Sequence, residues 1–105
     1  MDPVRFVREV SDDVLKREKE RGRELRATTW WRRRIAVGVC HYCGRQVGAK
    51  ALTMDHLVPL VRGGRSVRGN TVPACKVCNS KKQSLLPWEW DQYLRSWHKP
   101  TDEDA

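Results

Sequence analysis

No stretch of about 18 apolar residues occurs in this 105-residue chain, and the N-terminus carries a charge every few positions with no apolar run of the signal-peptide kind. Those absences argue against a membrane-spanning helix and a secretory leader, and they predict a soluble, cytoplasmic protein with no membrane partner. Acid is scarce too: 21 Lys and Arg face 13 Asp and Glu, for a net charge of +8. Three of those acids, Asp102, Glu103 and Asp104, sit in the tail, so the rest of the chain sets 21 bases against 10 acids. Such a body is drawn to polyanions, nucleic acid foremost. Length is short as well. One thin domain is all it allows, and a chain this small buries little surface, so a covalent or metal staple is expected.

Four cysteines supply one. In a reducing compartment they are poor disulfide candidates and good metal ligands. Cys40 and Cys43 form one C-x2-C pair, Cys75 and Cys78 a second, and 31 residues separate the pairs. Each two-residue spacer turns the chain so that both sulfurs face one point, and two such pairs can enclose one tetrahedral Zn2+. His41 lies between its cysteines, which is neither the haem-attachment order nor a ligand position. Four thiolates leave no open coordination place, so this ion is assigned to structure.

Along the chain, Asp2 and Pro3 read as the start of a first helix with Val4, Val7 and Val10 at helical spacing. Ser11 or Asp12 caps the next, which runs on as a highly charged helix through "WWRRRIAV", weakened midway by Gly22 at about 1 kcal/mol relative to Ala. From Val39 the text turns to short apolar pieces. A strand is expected near Ala51 to Met54, then a Gly-rich loop from Arg62 to Asn70, then a return through Thr71 and Val72. "CKVCNSKKQSLL" reads as a short helix. "PWEWDQYLRSW" reads as a closing amphipathic helix, with Trp90, Leu94 and Trp97 on its packing face. Apart from the two cysteine pairs there is no internal repeat and no clear linker. The expected division is a basic helical arm over 1–34, a zinc-bound body over 35–98 and an acidic tail over 99–105.

Within and just after the loop closed by the cysteines lie Asp55, His56, Asn70 and Asn79. Asn70 falls 14 residues beyond His56 and Asn79 falls 23 beyond it. Each has a plainer reading alone: Asp55 as a turn cap, His56 as a packed core residue, Asn70 as part of the turn "RGN", Asn79 as a residue tolerant of left-handed backbone. All four at these intervals, within and just after the loop closed by two cysteine pairs, point to one site. In order, "CHYCG", "TMDHLVPLVRGG" and "GNTVPACKVCNSKK" resemble the HNH endonucleases over residues 40–82.

The resemblance implies an α+β fold with a zinc-stabilised ββα-metal core, and hydrolysis of DNA phosphodiesters that leaves a 5′ phosphate. It implies Asp55 and Asn79 as ligands of Mg2+ or Mn2+, His56 as the general base, and Asn70 as the residue that bonds across the loop and keeps His56 aimed. Asn79 stands where the family's name implies a histidine; its carbonyl oxygen suits a hard cation. One such site nicks one strand, whether the chain is a monomer or a homodimer. Arg32, Arg33 and Arg34, directly following Trp30 and Trp31, are the expected DNA contacts. Arg62, Arg65, Arg68, Lys81 and Lys82 join them. The rival reading is a zinc-ribbon module that binds nucleic acid without cutting it.

Overall fold

The computed structural model describes residues 10–97, so the expected helix at Asp2 and the acidic tail lie outside the described residues. Among the described residues, four α-helices and one two-stranded antiparallel sheet make the small α+β fold expected from the sequence. Helix α1 spans Asp12–Arg26 and α2 spans Thr29–Ala36. Strands β1, Leu52–His56, and β2, Thr71–Cys75, form the hairpin. Helix α3, Lys76–Lys82, follows β2 without a break, and α4, Pro87–Trp97, ends the described chain.

Ser11 caps α1, its hydroxyl accepting from the Val14 N–H, and Asp12 and Asp13 complement the helix dipole in the first turn. The single helix expected through Val37 is instead two. Thr28 breaks it by competing with the backbone: its hydroxyl donates to the Leu25 carbonyl at 2.6 Å and accepts from the Trp31 N–H at 3.2 Å. One side chain thereby satisfies both sides of the joint between the helices.

The hairpin runs slightly beyond its predicted bounds, to His56 and Cys75. Its pairing sets Leu52 opposite Cys75, Asp55 opposite Val72 and His56 opposite Thr71. Alternation then places Thr53 and Asp55 on one face of the sheet and Met54 and His56 on the other. All five residues of β2 are buried. Between the strands, one-turn 3-10 helices at Leu60–Arg62 and Arg68–Asn70 shape the loop. At Gly64 the loop folds so tightly on itself that a Cβ would lie 1.7 Å from the Val58 carbonyl oxygen, so no other residue fits there.

The core is small: Cys40, Leu52, Ala74, Cys75, Cys78 and Trp90 are buried together. Trp90 is packed as the α4 pattern predicts, and Leu94 packs against the same cluster. Three of the six core residues are cysteines, so the apolar centre and the metal cluster are one object. Among the described residues, no helix is long and apolar enough to cross a membrane.

Candidate active site

The four sulfurs of Cys40, Cys43, Cys75 and Cys78 lie within 4.8 Å of one another, a set that fits one tetrahedral Zn2+. The backbone N–H groups of Cys75 and Cys78 donate to the sulfurs of Cys40 and Cys75, at 3.3 Å and 3.5 Å, as they would to thiolates. Burial works against a thiolate at Cys43, but hydrogen bonds from the Arg45 backbone and guanidinium outweigh it and bring its pKa down to about 6. His41 is exposed and outside the cluster; its N–H donates to the Pro73 carbonyl.

Cys75 is both the last residue of β2 and the N-cap of α3. The cluster therefore fixes the helix against the hairpin, and the two polar residues that α3 turns toward the sheet follow directly. Asn79 donates from Nδ2 to Thr53 Oγ1 at 3.3 Å. Lys82 is wholly buried, with Nζ 3.2 Å from Asp55 Oδ2 and donating to the carbonyls of His56 and Leu57 at 3.0 Å and 3.3 Å. Lys82, expected at the DNA surface, is thus an interior residue: a carboxylate and two strand-end carbonyls facing inward take its three donors.

Asp55 is 7% exposed and accepts a short hydrogen bond from the Tyr42 hydroxyl on the same Oδ2 that faces Lys82. Burial, with Asp55 next, raises the Tyr42 pKa far above the usual phenol range, so it remains a donor. The other oxygen, Asp55 Oδ1, has no protein partner among the described residues, and neither does the amide oxygen of Asn79. Both oxygens lie on the face of the sheet that α3 covers.

His56 ends β1 on the opposite face, half-buried, with Nε2 2.9 Å from Ser66 Oγ. Burial is the largest influence on its imidazole and keeps the pKa below the ordinary 6.5; Asp55 pulls the other way, while Arg26 and Lys82 add to the depression. At neutral pH the ring is uncharged and able to accept a proton. The chain bends immediately after it, and Asn70 sets the bend. Asn70 Oδ1 accepts from the Val58 N–H at 2.8 Å, and its Nδ2 donates to the carbonyls of Val58 and Arg65 at 3.0 Å and 2.8 Å.

The remaining basic residues divide. Arg32, Arg33, Arg65 and Lys81 are exposed. Arg34 and Arg68 both stand 5.3 Å from the centre of the Trp30 ring, and with Arg33, His41 and Pro73 they line an open groove of about 820 Å³. Arg62 is engaged internally, paired with Glu89 on α4 and reaching the Ser84 carbonyl. Trp31 is buried, whereas Trp30 is half-buried beneath the arginines.

Sequence reasoning missed Tyr42, Ser66 and Glu18. Glu18 is only 3% exposed, its Oε1 accepting from the Ser66 N–H at 2.8 Å. A signal for it was present. Leu15, Glu18, Gly22 and Leu25 recur at helical spacing on α1, and all four are buried or half-buried, so Glu18 occupies a packing position.

Residues 40–85 match the model of the HNH endonuclease family. Over 54 residues the chain is 37% identical to the CRISPR-associated endonuclease Cas9 of Actinomyces naeslundii, a match that covers 50% of this chain and 5% of that protein's length. The matched stretch is the one that holds the cysteine cluster, the hairpin, the Asp55–His56 pair and α3.

Proposed function

We propose that this chain is a DNA endonuclease that hydrolyses phosphodiester bonds with the help of a divalent cation, cutting one strand at each site. The observation that carries the reading is the arrangement around the end of β1: two oxygens without protein partners among the described residues, on Asp55 and Asn79, and an uncharged imidazole at the next position, which leaves from the other face of the sheet but at the last residue of the strand, where the chain bends. Asp55 and Asn79 would hold Mg2+ or Mn2+, hard cations that prefer oxygen ligands. When bound, the cation offsets the negative charge of the phosphate and of the departing 3′ oxygen.

The protein's own groups supply the rest. His56 takes a proton from the attacking water through the ring nitrogen that Ser66 does not hold. Asn70 fixes the bend that follows His56 and so sets the direction in which the imidazole points. Lys82 and Tyr42 hold the Asp55 carboxylate in one orientation, with Oδ2 engaged and Oδ1 presented. The cysteine cluster, as a Zn2+ site, maintains α3 and therefore Asn79 against the hairpin.

Exposed Arg32, Arg33, Arg65 and Lys81, with Arg34 and Arg68 along the Trp30 groove, are the surface offered to the DNA backbone. Contacts of this kind fix register without reading sequence. In this reading residues 1–34 form a basic arm, 35–98 the nuclease body and 99–105 an acidic tail. A monomer nicks, and a double-strand break takes a dimer or two encounters.

The test is conversion of supercoiled plasmid to the open circle with Mg2+ or Mn2+, for the wild type and His56→Ala. Nicking by the wild type and its loss in the variant, with zinc content retained, is the expected result. Equal and negligible conversion by both would make the protein a zinc-bound nucleic-acid-binding module.

A further inference from the structure

Helix α1 lies outside the family match, yet it reaches the proposed base through one intermediary. Ser66 Oγ lies 2.5 Å from the Glu18 backbone oxygen, its own N–H donates to Glu18 Oε1 at 2.8 Å, and His56 Nε2 lies 2.9 Å from the same Oγ. A serine hydroxyl has a single proton. A carbonyl oxygen has none, so the 2.5 Å contact with Glu18 must contain the hydroxyl proton. Ser66 has nothing left to give His56, and Nε2 must therefore be the donor. The lone pair of the neutral ring is then on Nδ1.

We propose that α1, through Glu18 and Ser66, is a positioning device for the reaction: it locks His56 as the Nε2–H tautomer and fixes the ring, leaving Nδ1 to receive the proton of the attacking water. Glu18 and Ser66 touch neither substrate nor cation and act only through His56. The position of Gly22 agrees with this role. A Cβ there would stand 3.2 Å from Ser66 Oγ, so the glycine lets the helix backbone come close enough to present the Glu18 carbonyl. Arg21 at 2.9 Å, with Arg65 nearby, balances the Glu18 carboxylate. The inference rests on His56 being the base, as proposed above.

The experiment uses the full-length, zinc-loaded chain and measures single-turnover plasmid nicking, DNA affinity, zinc content and the 15N resonances of the histidine rings. Ser66→Ala and Glu18→Ala are expected to slow nicking by about 10- to 100-fold while leaving DNA affinity and zinc content unchanged. Glu18→Gln keeps an oxygen that can accept the Ser66 N–H and should recover most of the rate. Wild-type His56 should show protonated Nε2 and bare Nδ1, and Ser66→Ala should mix the two tautomers. Wild-type nicking by Ser66→Ala overturns the proposal, as does a wild-type ring protonated on Nδ1. Should Ser66→Ala fail to fold, the two Glu18 variants and the wild-type spectrum still decide. If His56→Ala nicks as fast as the wild type, the assignment of the base fails instead.

Discussion

Lys82 shows how much one side chain can hold in this protein. Its ammonium neutralises Asp55 and ties down two carbonyls where β1 ends, all in the interior. Removing one partner of a buried ion pair strands the other. Lys82→Ala should therefore cost about 3–5 kcal/mol of stability, whereas exposed Lys81→Ala should stay within about 0.5 kcal/mol. Urea unfolding at fixed zinc concentration measures both. Asn79 makes a different prediction. Its Nδ2 bond to Thr53 is peripheral to the core, so Asn79→Ala should fold and bind zinc normally while the Mg2+ needed for half-maximal nicking rises on the order of tenfold or more.

At the scale of elements, the joint between α1 and α2 depends on Thr28. Thr28→Ala removes an N-cap and should cost about 1 kcal/mol, read as a lower midpoint in a circular dichroism melt. The docking of α1 is also sensitive to acid. The Ser66 N–H, more than any other influence, lowers the Glu18 pKa below 4.5; burial opposes this, and Arg21 and Arg65 assist it. A carboxylate whose pKa is depressed on folding stabilises the fold above its unfolded pKa, and the advantage fades as pH falls through the folded value. The midpoint difference between the wild type and Glu18→Gln should accordingly be constant from pH 7 to about 5 and shrink below 4.5.

The elements were largely legible in the sequence, because caps, alternation and C-x2-C spacing are local signals. Ser11, the hairpin and the helix after Cys75 were found that way. Thr28 was not, since a threonine inside a charged helical pattern looks like any other until its hydroxyl is seen bonding both ways. Lys82 and Glu18 escaped for a second reason. A charged residue is normally solvated, and only the approach of a distant strand or loop reveals that it is enclosed.

For the molecule as a whole, the few apolar side chains of the core share their space with three of the four cysteines. A metal bound there stabilises the fold directly, by about 10 to 16 kcal/mol in small zinc modules. Stripping it with a chelator should abolish the hairpin and α3 together in one cooperative loss of near-ultraviolet dichroism, and zinc alone, without magnesium, should restore the signal. Charge acts at the same scale. With a body this basic, affinity for random DNA should fall steeply with salt, and Arg33→Ala or Arg68→Ala should lessen that slope without changing which sequences are cut.

From Cys75 to Lys82 the chain places two sulfur ligands, the Asn79 amide and the buried ammonium within eight consecutive positions. Inserting or deleting a single residue between Cys78 and Lys82 would rotate everything downstream by about 100° around the helix axis. This octet must consequently be inherited or redesigned as an indivisible block.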